Sequence, residues 1–136
     1  MNVTIIDGQG GQLGAQLVKE ISTRFENINI TAIGTNAIAT STMLKAGAKN
    51  AATGENAVCV ACRRADVIIG PVGIVIVDSL LGEITEKMAI AVGQANAIRI
   101  LIPINKCDNI VVGVTNLNTK ALIDDTISKL NDIINN

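Results

Sequence analysis

Four glycines crowd into the seven residues "GQGGQLG", at Gly8, Gly10, Gly11 and Gly14, directly behind the acid Asp7. An apolar run, "VTII", leads into them and an amphipathic pattern follows. That order suits a phosphate-binding turn: a side chain at Gly8 or Gly10 would hold a pyrophosphate away from the backbone N–H groups and the positive dipole of a helix start. Gln9 lies within the same turn. The competing explanation is that the glycines only let a strand and a helix pack closely. Asp7 complicates either account, because a carboxylate repels phosphate unless it caps the loop's N–H groups, binds Mg²⁺ or faces elsewhere. It is a candidate both as a catalytic acid and as a loop-ordering residue, the second being favoured.

Other polar residues fall where chemistry would need them. Thr35 and Asn36 follow the second apolar run, at the place where a dinucleotide site commonly has an Asp or Glu for the ribose hydroxyls. The missing acid disfavours NAD, and Thr35, Asn36 and Lys45 are left as acceptors for a 2′-phosphate. The spacing G-x-G-x-x-x-G is one residue longer than the standard fingerprint and is similar to that of some NADP-dependent enzymes. A second tight turn, "GPVG", holds Gly70, Pro71 and Gly73, and "PINKC" puts Asn105, Lys106 and Cys107 just behind an apolar stretch. Lys106 could neutralise a phosphate and Asn105 could orient a carbonyl, which makes both catalytic candidates, although a solvated turn explains them equally well. Asp78, Ser79 and Glu83 read as buried polar anchors or oligomer contacts.

The chain has no His, Trp or Tyr, so mechanisms built on imidazole are excluded. Three cysteines, Cys59, Cys62 and Cys107, are an odd number without a secretory signal, which argues for reduced thiols. Cys59 and Cys62 share a helix face in "CVAC", and with Cys107 and an outside ligand they could form a zinc or iron–sulfur site. Buried, inert thiols are the simpler account.

Hydrophobic periodicity supplies the elements that would position these residues. Strands are expected at 3–6, 29–33, 50–52, 66–69 and 98–104, the last buried on both faces for much of its length, with a sixth at 110–114. Helices are expected at 13–24, from a cap at Thr35 or Asn36 to Gly47, from a cap at Thr53 or Asn56 to 65, behind Thr85, and behind Asn118 or Thr119; across 74–81 the β-branched residues favour a strand, while the length and the closing Gly82 favour a short buried helix, the reading preferred. Strands alternating with helices and reading as continuous apolar runs imply a three-layer α/β/α Rossmann-like fold with a mostly parallel sheet of five or six strands.

Length and composition frame the rest. One domain spanning 1–136 is expected, since a single core serves chains of this size. Hydrophobic residues make up 49% and charged residues 17%, more apolar material than a small monomer hides, so a homo-oligomer is expected. The longest charge-free apolar run, 67–77, is broken by Gly70, Pro71 and Gly73 and is too short for a membrane span. With no signal peptide the expected location is cytoplasmic. A net charge of −1, scattered basic residues and Phe25 as the sole aromatic argue against nucleic acid.

Taken together, "IDGQGG", "GTNAIATSTMLKAGA", "ATGENAV", "GPVGI", "LGEIT" and "ILIPINKC" resemble an uncharacterised family of small bacterial proteins, domain of unknown function 3842. The resemblance covers the whole chain, implies a bacterial cytoplasmic origin and supplies no activity.

Three readings follow from the residues. The first is a nucleotide-binding protein holding NADP, NAD or a related phosphorylated metabolite, with an oxidoreductase activity left open. The second is a non-catalytic sensor or regulatory subunit on the same fold, and the third is a cysteine-based metal or redox protein.

Overall fold

The computed structural model describes residues 1–104, 108–115 and 118–136. Five parallel strands, β1 (Asn2–Asp7), β2 (Asn29–Gly34), β3 (Asn50–Thr53), β4 (Val67–Pro71) and β5 (Ile98–Ile102), form one sheet in the order β3-β2-β1-β4-β5. The helices are α1 (Gln12–Arg24), α2 (Ala37–Lys45), α3 (Glu55–Arg64), α4 (Glu86–Gln94) and α5 (Thr119–Ile134). The fold is the expected Rossmann-like α/β/α arrangement. The order reverses between β1 and β4, so the carboxyl ends of these two strands flank the crevice where such sheets take ligands.

Alternation along the strands sorts side chains into two cores. Val3, Ile5, Ile30, Ala32, Val67 and Ile69 face α1, α2 and α5, while Ile6, Ile33 and Ile68 face α3 and α4. At the opposite end of the sheet from the crevice, asparagines run across three strands. Asn50 Nδ2 donates to Asn29 Oδ1 at 3.2 Å, Asn29 Nδ2 to Asn2 Oδ1 at 3.0 Å, and Asn2 Nδ2 to the carbonyl of Arg64 at 3.3 Å.

Several expectations are corrected. Residues 74–81 form no α-helix: Val72–Val75 is a 3₁₀ turn, followed by turns in which Asp78, Leu80 and Leu81 have φ of 66°, 54° and 55°. Such left-handed residues cannot continue a right-handed helix. The strand expected at 98–104 stops at Ile102, before Pro103, which lacks an N–H for the ladder. It is an edge strand, with Ile98 and Arg99 exposed, because nothing pairs with its outer side among the described residues. Residues 110–114 form a turn closed by Gly113 at φ 87°, not a sixth strand. Helix α3 starts behind Gly54, and neither Thr53 nor Asn56 caps it. Asn36, Thr85 and Asn118 cap α2, α4 and α5 as expected.

Candidate functional site

The turn from β1 into α1 is held from below by Asp7. Buried at the strand's last position, it accepts the N–H of Gly8 at 2.8 Å through Oδ1 and that of Gly14 at 2.7 Å through Oδ2. Gly11, at the N-cap position of α1, has no side chain to cap with, so Asp7 satisfies one of the helix's open N–H groups from the strand below. Burial raises the carboxyl's pKa, the N–H groups of Gly14 and Gly8 oppose that, and the charge of Glu83 raises it again.

Three of the four glycines are explained by close packing. A Cβ at Gly8 would meet Thr35 Oγ1 at 2.5 Å, one at Gly11 the backbone of Ala39 at 2.7 Å, and one at Gly14 Met43 Sδ at 2.5 Å. Gly11 is also left-handed, at φ 76°. Gly10 differs: among the described residues nothing lies within 4 Å of the position its Cβ would take.

The open side of Gly10 belongs to a cavity of about 270 Å³. Asp7 to Leu13, Gln16, Ile104 and Thr119 line it, so the first turns of α1 and α5 meet there. The N–H groups of Gly10, Gln12 and Leu13 have no partner among the described residues. Asp7 is the one carboxylate in this lining, which has no lysine or arginine among the described residues.

On the other flank of the loop stands Glu83. Its Oε1 accepts from Asn36 Nδ2 at 2.6 Å, Thr35 Oγ1 at 2.8 Å and the N–H of Gln9 at 3.0 Å, while among the described residues Oε2 receives only that N–H, at 3.2 Å. Partial burial raises the pKa of Glu83, but the bonds from Asn36, Gln9 and Thr35 outweigh it and hold the carboxyl below its usual range. Asn36 Nδ2 also donates to the carbonyl of Gln9 at 2.9 Å, tying the end of β2 to the glycine loop.

The segment that carries Glu83 is pinned. Leu80 and Ile84 on either side are buried, the hydroxyl of Ser79 donates to the carbonyl of Gly73, and the Asp78 N–H donates to the Ile84 carbonyl at 2.8 Å. Leu80 packs against Gly8. Ser79 thus anchors its loop as a buried polar group, in line with the sequence reading. The position of Glu83 over the glycine loop was not visible there, because it requires the segment between β4 and α4 to fold back over β1; the only local signal is an acid framed by Gly82 and the apolar Leu80 and Ile84.

The structure therefore brings Asp7, Gly8, Gln9, Gly10, Gly11, Gly14, Thr35 and Asn36 to one place. Gly70, Pro71 and Gly73 are buried below it: a Cβ at Gly70 would strike the Ile6 carbonyl, and the Gly73 carbonyl is occupied by Ser79 and Ile76. Asn105, Lys106 and Cys107 lie outside the described residues. Cys59 and Cys62 sit one turn apart on α3, away from the loop, and no cluster of three metal-binding side chains occurs among the described residues. Burial, and then the neighbouring Cys59, push the Cys62 thiol up to about 11. No described helix is long and apolar enough to cross a membrane.

A family model described as "Domain of unknown function (DUF3842)" matches residues 2–135. No curated protein matches. Among solved structures, a dodecameric FMN-dependent UbiX-like decarboxylase from Escherichia coli O157:H7 is similar, with 17% identity, a TM-score of 0.49, and 96% of this chain and 76% of that chain covered.

Proposed function

The chain belongs to the family described as domain of unknown function DUF3842, and we propose that it binds a nucleotide, with the phosphates against Gly10 and the first turn of α1. Gly10 carries this reading. Packing explains the other three glycines of the turn, whereas among the described residues Gly10 faces open space beside N–H groups that have no partner. Two helix starts meeting at one cavity add a favourable field for an anion.

The cavity, at about 270 Å³, lies below the roughly 300–1,000 Å³ usual for drug-sized ligands. It accommodates the phosphate portion, and the rest of the nucleotide extends along the open carboxyl edge of the sheet. Binding without chemistry fits the described lining, because both oxygens of Asp7 are already occupied by N–H groups. A role in ligand sensing or regulation follows more naturally than turnover, and the exposed apolar residues Ile110 and Val112 favour self-association.

The test is a thermal-shift panel of NAD, NADP, ADP, ATP and sugar phosphates, read with an extrinsic dye because the chain lacks Trp and Tyr. A ligand at about a hundred times its Kd should stabilise the protein by about 2.7 kcal/mol. Gly10→Val should abolish that shift while the variant stays folded. No shift with any nucleotide, or a shift retained in Gly10→Val, overturns the reading.

A further inference from the structure

A dinucleotide site of this architecture usually draws its ribose-binding acid from the end of the second strand. Here β2 ends in Gly34, followed by Thr35 and Asn36, and no acid stands in that stretch. The structure delivers one from elsewhere: Glu83, from the turns between β4 and α4, lies on Thr35, Asn36 and Gln9. We infer that Glu83 is the ribose-recognising residue of the site, accepting the 2′- and 3′-hydroxyls of an unmodified ribose and excluding a nucleotide phosphorylated at the 2′ position. This rests on the nucleotide reading above.

The hydrogen bonds of the carboxylate support this role over a purely structural one. A carboxylate offers about four acceptor positions. Among the described residues Oε1 is saturated by three donors, whereas Oε2 has only the shared, longer contact with Gln9 and keeps room for further donors. The side chain is also only half-buried. Its placement is fixed in advance by Leu80, Ile84 and Ser79, which reduces the ordering cost of binding.

The surroundings suit a nucleoside. Leu81, two residues before Glu83, is 94% exposed, and Ile38, two residues after Asn36, is 70% exposed. Apolar side chains thus stand on both elements that meet at the carboxylate, as a base needs for contact with its faces. A 2′-phosphate in the same place would add nearly two negative charges beside an ionised carboxylate, and the described residues around Glu83 offer no cation to offset them. The assignment of Thr35, Asn36 and Lys45 to a 2′-phosphate is therefore replaced: Thr35 and Asn36 position Glu83.

Calorimetric titration of NAD and NADP into the wild type and Glu83→Gln tests the inference. The wild type should bind NAD at least about tenfold more tightly than NADP, and Glu83→Gln should narrow the ratio to about threefold or less, chiefly by weakening NAD. Equal wild-type affinities, an unchanged ratio in the variant, or tighter binding of both ligands by the variant overturns the role of Glu83 and leaves the nucleotide reading standing. If no nucleotide of the thermal-shift panel binds the wild type, the nucleotide reading itself fails, and this one with it. Should Glu83→Gln not fold, ADP against 2′-deoxy-ADP on the wild type decides: removal of the hydroxyl should weaken binding about tenfold, and equal affinities overturn the inference.

Discussion

Asp7 and Glu83 grip adjacent peptide groups of one loop, Asp7 the N–H of Gly8 at 2.8 Å and Glu83 the N–H of Gln9 at 3.0 Å. One carboxylate comes from inside the sheet and the other from a segment that has folded back over it. Between them they fix Gln9 in a left-handed conformation, φ 51°, which a non-glycine residue adopts only when its surroundings impose it. The two charges also repel, and this coupling is measurable. Glu83→Gln should lower the pKa of Asp7, because it removes the one charge that raises it while the bonds to Gly14 and Gly8 remain. Carboxyl-carbon NMR titration of wild type and variant checks this, and an unchanged or raised Asp7 value would contradict it.

The two acids should push stability in opposite directions with pH. Glu83 has a folded pKa below its ordinary 4.5, so its contribution is fully present above that value and is lost as pH falls through the folded one. Asp7 has a folded pKa above its ordinary 3.8, so the folded state retains the proton longer and stability declines as pH rises from there through the folded value. Urea unfolding from about pH 3 to 7 should therefore show a smaller loss on acidification in Glu83→Gln than in wild type. A steeper loss in the variant would reverse the sign given to Glu83.

The glycines should separate by function. Gly8→Ala must displace Thr35 and Leu80, and Gly11→Ala must both hold a left-handed φ and push on the Ala39 backbone, so each should cost about 1–3 kcal/mol. Gly10→Ala meets nothing and should stay within about 0.5 kcal/mol of wild type. Chemical denaturation ranks the three variants. A destabilised Gly10→Ala would mean that this position too is a packing device.

Thiol labelling should distinguish the two cysteines on α3. Cys62 is buried with its thiol pushed up to about 11, so iodoacetamide should leave it unmodified in the folded protein and label it once the chain unfolds. Cys59, only partly buried, should react first of the two. Peptide mapping by mass spectrometry gives the order, and early modification of Cys62 would show that α3 opens readily.

Much of the fold was legible because its signals are local. The apolar stripe of α1, the caps Asn36, Thr85 and Asn118, and the left-handed stop at Gly47, φ 115°, each require only a few neighbouring residues. The glycine loop and the partners at the end of β2 were legible for the same reason. Tertiary context decided the rest. Ile110, Val111 and Val112 have strand-type side chains, yet they form a turn that leaves Ile110 and Val112 exposed. The left-handed Leu80 and Leu81 carry no turn signature of their own; buried Leu80 and Ile84, with the Ser79 hydroxyl, hold that segment in place. Glu83 reaches the glycine loop only through that long-range folding.

The asparagines at the foot of the sheet bear on how the chain finds its alignment. Asn2, Asn29 and Asn50 come from segments far apart in sequence, and parallel pairing of such segments is the slow, non-local part of assembly. A slip of one residue would turn Asn29 to the opposite face of β2 and break its bonds to both neighbours. Three small amides therefore act as an index mark for β1, β2 and β3, and the correct register at their foot brings Asp7, Gly34 and Thr53 level at the other end.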